Sequence, residues 1–245
     1  MTTAVLHAEW LKIRTLRSAV CALLAVPVAT AGMTILVNAL TSSGDGADTA
    51  SPDRLFTAFF GISFGQIAAM AFGTLAFSTE FHNGALRTSL SAVPDRTRFY
   101  AAKTAVVAAS VLLIGLVTGF ATFLGGQAVV DGDRMDLADP GALRACLGAG
   151  IYLSLVALLA AGFTALLRSG TAVLSLLIPF VLIVSFVIGD VSGGAAGYLP
   201  DKAGQQVLRQ DTTGGLEPWT GLAVAAAWAG AALLAGWWST RRRDA

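Results

Sequence analysis

The chain has 245 residues, of which 55% are hydrophobic and 13% are charged, and its formal net charge is +1. A soluble domain usually carries about 25% charged residues, so this composition excludes a water-soluble globule and predicts a membrane protein. Nucleic-acid binding is also excluded, because the 16 Lys and Arg residues are scattered among short segments between apolar runs and form no basic face for phosphates.

The first predicted element is an interfacial helix ahead of the first apolar run. Leu6, Trp10 and Ile13 share one face of a helix, and charged side chains lie mostly elsewhere. A tryptophan on such a helix is typical of an anchor at the membrane interface.

Six runs that contain no charged residue and no histidine are long enough to cross a bilayer, which takes about 20 apolar residues. They predict six transmembrane helices over residues 19–40, 56–77, 104–130, 145–167, 171–188 and 219–238. We therefore expect an all-α membrane protein with a single transmembrane domain over residues 1–245. Only Arg168, Ser169 and Gly170 separate the fourth run from the fifth, which predicts a tight helical hairpin.

The segment between the second and third runs, residues 78–103, predicts a short amphipathic helix outside the bilayer core. Leu86, Leu90 and Val93 are spaced i, i+4 and i+7, and Pro94 ends the helix because the residue before a proline is disfavoured in the α region. Two interpretations are open. The helix is either a connector that rests on lipid headgroups or a docking surface for a cytoplasmic partner.

Polar side chains inside the predicted spans are few, and the main ones are Asn38, Gln66 and Gln127. They either form hydrogen bonds between helices, the favoured interpretation, or line a path for a polar part of a substrate. No ionisable group lies within the runs, which disfavours ion-coupled transport.

Enzyme chemistry is not expected. The chain has no Gly-Lys pair and hence no P-loop, so we expect no ATP hydrolysis by this chain itself. Its two histidines lie outside the runs, so we expect neither a metal site nor a histidine-dependent protease within the membrane.

The distribution of charge between the runs predicts the orientation. The N-terminus, the segments 78–103 and 168–170 and the C-terminus hold 11 Lys and Arg against 4 acids, whereas the other segments hold 5 against 11. Because Lys and Arg are retained on the cytoplasmic side, we expect a multi-pass protein of the cell membrane with both termini in the cytoplasm.

Two segments resemble the permeases of bacterial ABC transporters of the type-2 exporter family. One is Glu9 to Ser18, before the first span; the other is Glu80 to Thr88, followed by Ala92 to Arg96. Six spans with both termini inside also match that family across essentially the whole chain.

The resemblance implies a role for each segment. The N-terminal segment would be an interfacial elbow, with Glu9, Trp10, Lys12, Arg14 and Arg17. The second would be a coupling helix that docks on a separate ATPase subunit, through Glu80, Phe81, His82, Asn83, Gly84, Leu86 and Arg87. Residues 189–218 would form short outer helices between the last two spans.

The resemblance further implies an exporter built from two permease copies, identical or related, with ATP and Mg²⁺ bound by the partner ATPase and no cofactor on this chain. The alternative is a self-standing immunity or scaffold protein of the membrane without transport activity, because an amphipathic inner helix suits both functions.

Overall fold

The computed structural model describes residues 2–42, 53–81, 85, 89, 95–130, 134–184, 197–210 and 216–242, and within these ranges it contains helices and no strand. In chain order the α-helices are α1 (Thr2–Thr15), α2 (Arg17–Ser42), α3 (Arg54–Ala58), α4 (Ile62–Ser78), α5 (Arg96–Ala128), α6 (Ala142–Leu167), α7 (Gly170–Pro179), α8 (Pro200–Gln205) and α9 (Pro218–Arg242). Single turns of 3₁₀ or π helix follow three of them, at Thr79–Phe81, Phe180–Val184 and Gln206–Leu208.

Five of the described helices, α2, α4, α5, α6 and α9, are long and apolar enough to cross a membrane. The chain is therefore an all-helical, multi-pass membrane protein, as its composition predicts. The fifth predicted run is described only to residue 184, where α7 and its π turn form a shorter apolar helix. Residues 185–188 of that run lie outside the described residues.

Three helix boundaries differ from the predicted runs. The first helix ends at Thr15, and Arg17, one of the predicted elbow residues, is the first residue of α2. The predicted span 56–77 is interrupted between α3 and α4, where the backbone N–H of Gly61 donates to the hydroxyl of Thr34 at 2.9 Å. The third span begins at residue 96 and not at 104, because the Asp95 side chain accepts hydrogen bonds from two N–H groups of the first turn of α5.

The centre of the bundle is α6, which packs against α4, α5, α7 and α9. Small residues allow this packing. Gly115 lies against Gly150, where a Cβ would be 3.0 Å from the neighbouring Cα, and Gly73 lies against the carbonyl group of Ala157. The tight hairpin predicted between α6 and α7 is present, with Arg168 in the left-handed region at φ 54° and Ser169 capping α7.

The segment that follows the fifth run does not lie wholly on the surface. In α8 and the turn after it, Ala203, Gly204, Val207 and Leu208 are buried. Gly204 packs on Tyr152 of α6, and Gly221 of α9 packs on Ala203. This segment is therefore inserted between α6 and α9.

The predicted inner and outer segments lie at opposite ends of the bundle. At one end, here called the inner end, Lys12 of α1 reaches Glu80, and Arg96 of α5 donates to the carbonyl of Thr240 in α9. At the other, the outer end, the backbone N–H of Gln210 donates to Asp53.

Candidate functional site

Four charged residues from three separate elements meet at the inner end. Glu9 and Lys12 come from α1, Glu80 from the 3₁₀ turn that ends the second span, and Lys103 from the second turn of α5. We call these four residues the inner charge cluster. It joins the predicted elbow to the start of the predicted coupling segment and to α5.

Each lysine of the cluster bridges both glutamates. Lys103 Nζ lies 2.7 Å from Glu80 Oε1 and 3.1 Å from Glu9 Oε2. Lys12 Nζ lies 2.8 Å from Glu9 Oε1 and 3.1 Å from Glu80 Oε1. Ser89 donates to the second oxygen of Glu80 at 3.0 Å, so the cluster also holds one residue of the segment beyond Phe81. Its formal charges sum to zero.

Burial makes the cluster more than a surface ion pair. The side chains of Glu9, Glu80 and Lys103 are 3–6% exposed, whereas that of Lys12 is 43% exposed. Phe77 and Phe99 cover the ammonium group of Lys103, each with its ring centroid 5.8 Å away. Charges removed from water in this way are tolerated only when they are paired and hydrogen-bonded.

The environment keeps Lys12 charged. Burial opposes the protonated form of Lys12, but its hydrogen bond to Glu9 and the negative charges of Glu80 and Glu9 outweigh burial and raise its pKa above the usual value. Lys12 therefore stays protonated at neutral pH and shares the neutralisation of the two glutamates with Lys103.

A crevice of about 470 Å³ opens beside the cluster. Its walls come from α1, the end of α4 and the segment after Phe81, and they include Thr15, Leu16, Ala76, Ala85 and Ser89. Ala85 and Ser89 thus line the same crevice as α1 and the cluster.

The predicted coupling residues fall into two groups. Glu80 and Phe81 are described: Glu80 belongs to the buried cluster, and the ring of Phe81 lies 5.8 Å from the guanidinium carbon of Arg168. His82, Asn83, Gly84, Leu86 and Arg87 lie outside the described residues. Of the neighbouring positions, Ala85 and Ser89 are described, and both are helical.

The predicted elbow residues divide between the two faces of α1. Glu9 is buried and faces the cluster, and Lys12 bridges to it. Trp10 and Arg14 are exposed on the outer surface of the helix. The apolar face that the sequence predicts is also split, because Ile13 is buried whereas Leu6 and Trp10 are exposed.

The three polar residues predicted inside the spans all form hydrogen bonds within the chain. Asn38 of α2 donates to the carbonyl of Gly126 in α5 at 3.2 Å, and the side chain of Gln127 accepts from the backbone N–H of Met135 at 2.9 Å. Gln66 of α4 accepts from the hydroxyl of Tyr152.

Gln66 belongs to a buried polar trio with Tyr152 and Gln205. Gln205, from the inserted helix α8, donates to the Tyr152 hydroxyl at 3.2 Å and to Gln66 at 3.4 Å. Tyr152 and Gln205 are not among the predicted polar residues, because no local pattern indicates that α8 packs against α6. Lys103 is not among the predicted site residues either, because no local pattern predicts its burial.

A groove of about 560 Å³ runs between α4 and α7, and hydroxyl groups line it: Thr74, Ser78, Thr171 and Ser175. The Thr74 hydroxyl is buried, and the described part of the chain offers it no hydrogen-bond partner. Thr171 and Ser175 are exposed, so the groove can offer hydrogen bonds to a polar group within a largely apolar wall. Within the described ranges no group of acidic, His and Cys side chains is arranged to hold a metal ion.

The chain matches the model of a known protein family. The model of the ABC-2 family transporter protein matches residues 5–186, which include α1, the inner charge cluster and the α4–α7 groove. No curated protein sequence matches the chain.

Proposed function

Because this chain belongs to the ABC-2 transporter family, we propose that it is the membrane permease subunit of an ATP-binding-cassette exporter. The family gives the chain a permease-type transport role in an ABC transporter. The proposal adds the direction of transport, six spans with both termini in the cytoplasm, and a second permease copy, identical or related. The observation that carries it is the family match over most of the chain, including the inner end.

We propose that the segment from Glu80 to Arg87 docks on a cytoplasmic ATPase subunit. ATP and Mg²⁺ would bind to that subunit, and this chain would hold no cofactor and catalyse no reaction. The inner charge cluster supports this arrangement, since it ties the start of the segment to α1 and to α5. A push on the segment would then move the elbow and the third span together.

In this proposal Glu80 positions the coupling segment and does not itself contact the ATPase. Its carboxylate is buried and already accepts hydrogen bonds from Lys12, Lys103 and Ser89. Contacts with the ATPase would come from the residues that follow, with Arg87 as the charged one.

We further propose that substrate passes along the α4–α7 groove. The exposed residues Thr171 and Ser175, set in a largely apolar wall, suit a substrate with both polar and apolar parts. Asn38, Gln66 and Gln127 are then packing residues, because each is engaged within the chain.

Co-purification tests the proposal. The tagged chain is extracted in mild detergent, and mass spectrometry identifies what accompanies it. We expect a stoichiometric P-loop ATPase that is lost with Arg87→Glu and retained with Arg98→Glu, a matched charge reversal near Asp95 at the same end. Recovery of the wild-type chain alone in several mild detergents would contradict the proposal and favour a self-standing membrane protein.

A further inference from the structure

The exposed surface of α1 combines apolar and basic side chains without an acidic one. Glu9 is the only acid in the helix, and it is buried in the inner charge cluster. His7, Leu11 and Arg14, spaced i, i+4 and i+7, are all exposed. The acidic side chain of Glu9 is thus paired inside the protein, and the exposed face of α1 carries basic side chains and no acidic one.

A groove of about 450 Å³ lies between this helix and the third span. Leu6, His7 and Trp10 form one wall. The other wall is a stripe of α5 with the spacing i, i+3, i+4 and i+7, made of Val106, Ala109, Ser110 and Leu113. The hydroxyl of Ser110 bonds to the carbonyl of Val106, so this stripe offers an apolar surface.

We propose that this groove binds a phospholipid with an anionic headgroup. The acyl chain lies on the stripe from Val106 to Leu113 beside Trp10, and the phosphate lies at the basic face of α1 formed by His7 and Arg14. The stripe rises about 10 Å along α5, which is enough for a substantial part of one acyl chain. An apolar surface bordered by basic side chains is the pattern of a site for acidic lipids.

The choice of an acidic lipid rests on the burial of Glu9. If Glu9 faced outward, its charge would offset that of Arg14, and the surface would not discriminate between headgroups. The inference does not depend on the proposed ATPase partner, because lipid binding is measured on the permease in the absence of ATP.

Quenching of Trp10 fluorescence tests the proposal. The full chain is placed in nanodiscs of phosphatidylcholine that contain increasing fractions of brominated phosphatidylglycerol or brominated phosphatidylcholine. The signal of Trp10 is the difference between the wild type and Trp10→Phe, which removes the contribution of the four tryptophans of α9.

We expect brominated phosphatidylglycerol to reach half-maximal quenching of Trp10 at a mole fraction about fivefold or more lower than brominated phosphatidylcholine does. One basic residue near an anionic lipid strengthens binding by about this factor. Arg14→Gln reduces this preference for phosphatidylglycerol over phosphatidylcholine about fivefold. Arg98→Gln, which removes an arginine close to Asp95 in the first turn of α5, leaves it unchanged.

Two results would overturn the proposal. Coincident quenching curves for the two brominated lipids in the wild type would mean that the groove takes lipid without regard to charge. Absence of Trp10 quenching by either lipid would mean that protein, such as a second permease copy, covers the groove. Size-exclusion profiles that match the wild type verify that each variant is folded.

Discussion

Removal of the Lys103 charge is expected to destabilise the inner end strongly. Lys103→Met keeps the length of the side chain but leaves Glu9 and Glu80 with Lys12 as their remaining cationic partner in the cluster. Lys103 is 2% exposed, and both of its carboxylate contacts are at or below 3.1 Å. Removing one partner of a buried ion pair costs about 3–5 kcal/mol, because the charge left behind is not solvated.

Lys12→Met is the matched control. It removes the same charge from the same two glutamates, but Lys12 is partly solvated and its loss leaves the buried Lys103 in place. We expect a cost of about 1 kcal/mol, typical of a partly exposed pair. The free energy of unfolding is measured for both variants by denaturant titration in the same detergent.

A third variant separates charge from packing. Glu80→Gln combined with Lys103→Met removes one charge of each sign and leaves Glu9 paired with Lys12. We expect the double variant to be more stable than Lys103→Met alone, which is a positive coupling between the two sites. A cost of Lys103→Met no greater than that of Lys12→Met, or additive effects of Glu80→Gln and Lys103→Met, would contradict a buried, coupled cluster.

Three further predictions concern the fold, and each is measured as a change in unfolding free energy. Gly61→Val is expected to cost about 1–3 kcal/mol, since a Cβ there would overlap the carbonyl oxygen of Thr30. Gly230→Val, with open space around the glycine, is expected to cost little, and equal costs for the two variants would contradict this packing. Tyr152→Phe is expected to cost about 1–3 kcal/mol, because it leaves the buried Gln66 with a weaker hydrogen-bond partner. Tyr198→Phe, at a residue that is 55% exposed, is expected to be neutral, and a neutral Tyr152→Phe would argue against the trio. Asp95→Ala is expected to cost about 1 kcal/mol by removing the cap of α5, and an unchanged stability would show that the cap is not used.

The helical membrane fold could be predicted from the sequence because it depends on local composition. Each of the runs around α2, α6 and α9 is uncharged over about 20 residues, and the helices found there begin and end within a few residues of the predicted runs. Bilayer thickness sets this length, so no tertiary information is needed. The hairpin at Arg168 was also predictable, since only Arg168, Ser169 and Gly170 separate the two runs.

The inner charge cluster could not be predicted in this way. Its members are up to 94 residues apart, and each one alone has the pattern of a solvated loop or helix face. Burial of Glu9 could not be inferred from α1 alone, because its partner Lys103 belongs to another helix far along the chain. The insertion of α8 escaped prediction as well, because Pro200 to Gln205 is short and polar, and its burial depends on glycines in three different helices.

Hydrogen–deuterium exchange on the purified complex with the proposed ATPase separates an ATP-driven permease from a membrane protein that only binds a partner. Exchange is compared between the nucleotide-free complex and the complex trapped with ATP and vanadate, and again with a partner that cannot bind ATP. For an ATP-driven permease we expect a change in exchange over residues 79–103 and the adjoining turns of α4 and α5 that requires ATP binding. Protection of the same residues on complex formation, with no further change on addition of ATP, would contradict it.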